Sequence, residues 1–180
     1  MVSRMLKADD PDCYTVFIGP CISKKSEVKD QKIEGNADAV LTYSEIRAIM
    51  KAKDVKLEPA ANDYQESSIY GKRFANSGGV TESVLEYMKE TDQECDATVC
   101  KANGAAECKK ALLMLKVGKL PDNFIEGMAC VGGCVGGPSS FEDQMKFKKN
   151  REKLLDEADD RTIIGNLEHY NLDSFSQHRD

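Results

Sequence analysis

The stretch Glu126-Gly127-Met128-Ala129-Cys130-Val131-Gly132-Gly133-Cys134-Val135-Gly136-Gly137-Pro138 places two cysteines in a C-x-x-x-C spacing within a glycine-rich segment. Thiolates are soft metal ligands, and glycine lets the backbone close in without Cβ clashes. The pair therefore points to a wrapped inorganic cluster. Just upstream, Asn123-Phe124-Ile125-Glu126 reads as a short strand that delivers the chain into the loop. Thiols then sit at the carboxyl end of a strand, where α/β proteins gather their ligands.

Moving outward, the same arrangement recurs. The apolar run Thr15-Val16-Phe17-Ile18-Gly19 reads as a buried strand and runs into Pro20-Cys21-Ile22-Ser23-Lys24-Lys25-Ser26-Glu27, which supplies a third thiol. Two more strands are expected, at Asp38-Ala39-Val40-Leu41 and at Ala97-Thr98-Val99-Cys100-Lys101-Ala102. The first leads into Thr42-Tyr43-Ser44-Glu45, a capping box opening a helix with Ile46, Ile49 and Met50 on one stripe. Gly78-Gly79 opens a helix carrying Val80, Val84, Leu85 and Met88, and Ala105, Cys108, Leu112 and Leu115 give another helical face closed by Gly118. This alternation predicts an α/β fold with a four-stranded, mainly parallel sheet flanked by helices. Cys21 and the Cys130/Cys134 pair, each following a strand, are expected to meet at the carboxyl edge of that sheet.

The two cysteine segments resemble the second and third active-site loops of iron-only hydrogenases, which read P-C-x-x-K with a glutamate beyond and E-x-M-x-C-x-x-G-C-x-x-G-G. The matching residues are Pro20, Cys21, Lys24 and Glu27, then Glu126, Met128, Cys130, Gly133, Cys134 and Gly137. Ser77-Gly78-Gly79-Val80 also resembles a glycine turn that the family carries before a helix, so the resemblance runs roughly from Cys13 to Phe141. It departs at Gly19, where the family commonly has methionine, and at Pro138-Ser139-Ser140. The family's first loop, a T-S-C-C-P-like motif, has no counterpart in Met1 to Tyr14.

The resemblance implies one lobe of a hydrogenase-like domain and a fragment of a larger protein. It implies that Cys21, Cys130 and Cys134 ligate a four-iron, four-sulfur (4Fe-4S) cluster, with Cys134 bridging to a di-iron subcluster. Lys24 would donate to a cyanide ligand of the di-iron site, and Met128 would pack beside it. An upstream lobe with the first cysteine loop and an electron-transfer partner such as a ferredoxin are the implied partners. The activity implied is reversible interconversion of protons, electrons and molecular hydrogen; the alternative is a non-catalytic iron–sulfur sensing or binding module of the same ancestry. The chain alone, supplying three of four cluster thiolates, is expected to be inactive and to hold little or no metal.

Composition sets the remaining bounds. At 180 residues and 41% hydrophobic content, a single α/β domain over 1–180 is expected, with a charged helical tail over 141–180. A formal net charge of −6 speaks against nucleic-acid or anionic-membrane partners. No apolar run approaches the roughly 18 residues of a membrane span, and a cytoplasmic protein is expected. Seven cysteines without paired C-x-x-C knuckles fit neither a disulfide framework nor the usual structural zinc site, although a zinc-stabilised α/β domain is a third reading. Cys95, Cys100 and Cys108 read as small buried hydrophobes and Cys13 as incidental. His169 and His178 lie in the polar tail and are assigned no role.

Overall fold

The structure is a computed structural model. It describes residues 1–170 apart from 31, 33–34, 59–66, 142–143, 157, 159 and 169. His169, His178 and the end of the expected charged tail, 171–180, lie outside the described residues. The chain divides into two compact units, one of Met1–Ala61, Pro138–Phe141 and Tyr170–Asp180, the other of Asn62–Gly137 and Glu142–His169.

In the first unit, helix α1 (Val2–Asp9) precedes strand β1 (Val16–Gly19), a one-turn helix α2 (Lys24–Glu27), strand β2 (Ala39–Thr42) and helix α3 (Tyr43–Ala52). β1 and β2 are parallel, with Val16 opposite Ala39 and Gly19 opposite Thr42. Asp38 fixes the start of the pair: its carboxylate accepts the Thr15 N–H at 2.7 Å and the Thr15 hydroxyl at 2.9 Å, and pairs with Lys7 at 2.7 Å. At the far end the expected capping box forms. The Thr42 hydroxyl accepts the Glu45 N–H, and the Glu45 carboxylate accepts the Thr42 N–H at 2.8 Å. Lys25 lies 2.8 Å from the same carboxylate. The segment after the cysteine loop also belongs here. The Ser139 N–H donates to the Pro20 carbonyl at 3.2 Å, and Phe141 packs against Tyr43 with Arg47 over its ring.

In the second unit, helix α4 (Ile69–Arg73) is followed by α5 (Gly79–Glu90), strand β3 (Val99–Asn103), α6 (Ala105–Lys116), strand β4 (Phe124–Met128), α7 (Gln144–Asp156) and α8 (Ile163–Leu167). β3 and β4 are parallel, in register from Val99–Phe124 to Asn103–Met128. α6 lies across both strands, with Ala111 buried on its inner face and Ala102 buried on β3. Glu90, at the end of α5, accepts the Ile163 and Ile164 N–H groups and so holds the start of α8. Arg151 of α7 donates to the Lys72 carbonyl of α4.

The expected four-stranded sheet is corrected: the described strands form two separate two-stranded parallel sheets. Alternation of strand and helix makes β1 and β2 parallel neighbours through α2, and β3 and β4 through α6. It does not dictate that β2 pair with β3, because three helices lie between them rather than one crossover. Two smaller expectations also change. Cys95 is exposed rather than buried, and Leu112 and Leu115 are 59% and 54% exposed, so the outer part of the α6 face is uncovered. No helix among the described residues is long and apolar enough to cross a membrane.

Candidate metal centre

Glu126 stands on β4, a strand that is otherwise apolar, and the residue is only 6% exposed. A buried carboxylate is costly unless donors surround it. Glu126 meets that need at the amino end of α5, accepting the Gly78 N–H at 2.6 Å, the Thr81 N–H at 2.9 Å and the Thr81 hydroxyl. Gly78 turns the chain into the helix with φ +90, and α5's first amides would otherwise lack acceptors.

Two residues on, Met128 ends β4 half-buried, on the face shared with Glu126 by strand alternation. Its carbonyl and that of Ala129 accept the Gly104 and Ala105 N–H groups at 2.7 and 3.0 Å, so the start of α6 holds the exit of the strand. The loop then passes between two further contacts. The Asn103 side-chain oxygen accepts the Gly132 N–H at 2.7 Å, while Asn76 forms an antiparallel bridge with Gly133 and the Ser77 N–H donates to the Gly132 carbonyl. Inside the loop the Gly133 N–H returns to the Cys130 carbonyl at 3.0 Å, and Cys134–Gly136 forms a single 3-10 turn. Cys130 is half-buried, Cys134 is exposed, and neither is in a disulfide.

Cys21 follows β1 in the first unit, half-buried between Gly19 and α2. Lys24, three residues on, pairs with Glu27 at 2.6 Å, so the two matching residues of that motif engage each other. Lys25 is spent on the Val40 carbonyl and Glu45. Cys108 donates weakly to the Ala102 and Met128 carbonyls, and Cys100 lies half-buried on β3, in keeping with structural roles. Within neither unit do three His, Cys, Asp or Glu side chains of the described residues converge as an ion site. The donor set nevertheless suits an iron–sulfur cluster. All three cysteines are soft donors outside any disulfide, and the Cys130/Cys134 pair is carried on backbone that only glycine adopts readily.

Sequence reasoning named Glu126 as part of a motif but gave it no task, and it missed Thr81, Asn76 and Asn103. The available signal was a lone acidic residue in an apolar strand, which requires donors from somewhere.

The chain is similar to known proteins over most of its length. The family described as "Iron only hydrogenase large subunit, C-terminal domain" matches residues 1–138. The periplasmic [Fe] hydrogenase large subunit of Nitratidesulfovibrio vulgaris is 30% identical over 75% of this chain and 40% of its own length. A cytosolic Fe-S cluster assembly factor of Kluyveromyces lactis is 30% identical over 37% of this chain and 14% of its own. A solved [FeFe]-hydrogenase from Chlamydomonas reinhardtii has the same fold, with a TM-score of 0.58 at 17% identity, covering 99% of this chain and 63% of that one. The chain thus spans about two-fifths of the length of the Nitratidesulfovibrio hydrogenase it matches. With two cysteine loops at strand ends and a family match over most of its length, the chain belongs to the C-terminal domain family of iron-only hydrogenase large subunits.

Proposed function

We propose that the chain is part of the catalytic region of an iron-only hydrogenase, which interconverts molecular hydrogen with protons and electrons. The observation that carries this reading is the Cys130–Cys134 loop, hydrogen-bonded on both sides and presenting thiols on glycine backbone at the end of a parallel strand. Cys21, Cys130 and Cys134 would hold a 4Fe-4S cluster, and Cys134 would also serve the di-iron subcluster that the family resemblance implies. When bound, that centre supplies the electron storage and the iron chemistry, while the protein tunes it. Lys24 would bring an ammonium with three donors and no acceptor to the di-iron pocket, and Met128 would pack beside it. The first cysteine loop comes from a further lobe of the parent protein, electrons arrive from a carrier such as a ferredoxin, and the setting is the cytoplasm.

Anaerobic reconstitution with ferrous iron and sulfide tests the ligand set. Wild-type chain is expected to take up iron and sulfide substoichiometrically, with a weak form of the broad visible absorption of a cluster. Cys21→Ser, Cys130→Ser and Cys134→Ser lose most of it, whereas Cys95→Ser, Cys100→Ser and Cys108→Ser do not. Colourless protein retaining zinc on the same three thiols would sink the assignment.

Two observations favour the second reading, a non-catalytic iron–sulfur module. Lys24 is engaged by Glu27, and Gly19 stands where catalytic relatives commonly carry methionine. Hydrogen evolution by the full-length parent protein under a reduced donor separates the two: cluster uptake without hydrogen identifies the module.

A further inference from the structure

We propose that Glu126 is a positioning residue: through Thr81 and Gly78 it fixes the cysteine loop before any metal binds. The inference rests on the reading of Cys130 and Cys134 as cluster ligands and adds how their loop is held.

The contacts close a circuit. From Cys130 the chain reaches Gly132 and Gly133, which are gripped by Ser77 and Asn76. Those two residues run directly into Gly78 and the first turn of α5, whose Gly78 and Thr81 groups donate to Glu126. Glu126 lies four residues before Cys130, so the circuit returns to its origin along β4. Every link is either the covalent chain or a hydrogen bond, and none requires iron. The grip also has steric force: a Cβ at Gly133 would lie 2.5 Å from the Ala75 carbonyl oxygen and 2.6 Å from the Ser77 nitrogen, so the loop and the 75–77 turn touch backbone to backbone. Asn103 seals the other side by accepting the Gly132 N–H. A cluster ligand pair in metal-dependent modules commonly orders only on binding. Here the carboxylate supplies that order in advance, because charged acceptors make the stronger hydrogen bonds and a buried one holds its donors in place.

Hydrogen exchange at the Ser77 amide, which donates to the Gly132 carbonyl, and at the Gly133 amide of the metal-free chain tests the proposal directly, with far-UV circular dichroism confirming the fold. In Glu126→Gln, an amide replaces an acceptor-only group and its NH2 faces backbone N–H donors. Exchange at both amides is expected to quicken roughly tenfold or more, as local opening loses a charge-assisted hydrogen bond. Thr81→Val is expected to do the same to a smaller degree, and Thr81→Ser, which restores the hydroxyl, to return protection to within about twofold of wild type. Native-like Glu126→Gln protein with unchanged protection would overturn the proposal. Should Glu126→Gln fail to fold, the Thr81 pair decides: faster exchange in the valine variant, reversed in the serine variant, supports it, and equal exchange in both overturns it. The readout needs no metal. Failure of wild-type chain to take up iron would therefore count against the cluster assignment while leaving the positioning result to stand or fall on its own.

Discussion

Gly133 sits at φ +86 and ψ −161, a backbone region essentially reserved for glycine, whereas Gly132 beside it has φ +86 with nothing within 4 Å of where a methyl group would stand. The two positions separate backbone cost from collision. Gly132→Ala bears the left-handed penalty of about 1–2 kcal/mol. Gly133→Ala bears about 1–3 kcal/mol for its backbone and, in addition, drives a methyl into the Ala75 carbonyl. Urea denaturation should find Gly133→Ala the less stable variant, with the Asn76 bridge lost; equal stabilities would show that the 75–77 turn yields freely. At this scale the sequence was informative about what bears chemistry and silent about what holds it. Cysteines and glycines announce themselves through residue type and spacing. The donors to Glu126 lie 45 and 48 residues away, and nothing local to Glu126 reveals them.

Among elements, the parallel pair β1–β2 is tied at both ends by carboxylates with pKa values well below their ordinary range. The Lys7 hydrogen bond, with the Thr15 N–H, brings Asp38 to about 2. The Lys25 hydrogen bond, with the Thr42 N–H and hydroxyl, brings Glu45 to about 2. Both folded values lie below the ordinary 3.8 and 4.5, so the folded state favours the ionised forms. Their stabilisation is therefore complete above about pH 4.5 and is lost as pH falls toward about 2. Denaturation midpoints between those limits should fall steeply in wild type and less steeply in Asp38→Asn and Glu45→Gln; an unchanged slope in both would remove these ties from the account. Added salt should reduce the effect, because both pairs are partly solvent-exposed. The Glu45 tie was legible, since a capping box is a local pattern, whereas the Asp38 tie joins α1 to β2 and is not. α1 itself opens on Met1 with no side-chain cap, which left no start signal to read. In α6 the helical period is plain in the sequence, but period alone does not say what covers a face, and Leu112 and Leu115 remain uncovered here.

At the scale of the molecule, the strands and their parallel direction were readable while the pairing of sheets was not, because only short crossovers constrain which strands lie side by side. Parallel sheets are ordinarily covered on both faces, yet Val16, Phe17 and Ile18 of β1 are 43%, 38% and 46% exposed. A strand of three large apolar residues, exposed on alternate faces, calls for cover that the described residues of its unit do not supply. The chain also spans only two-fifths of its hydrogenase relative, and on the proposed function its two matching loops would contribute three thiolates where the family resemblance implies four. These observations converge on one expected outcome. The 180-residue chain, reconstituted anaerobically with iron, sulfide and a di-iron precursor and given a reduced donor, should evolve no hydrogen above the protein-free control by gas chromatography. On the proposed function, a cluster short of one thiolate would lose iron readily and stay open to water, and the Cys130–Cys134 loop would capture only substoichiometric iron. Sustained hydrogen production would overturn this, and it would require another thiol, with Cys13 the nearest upstream of the second loop, to complete the ligand set.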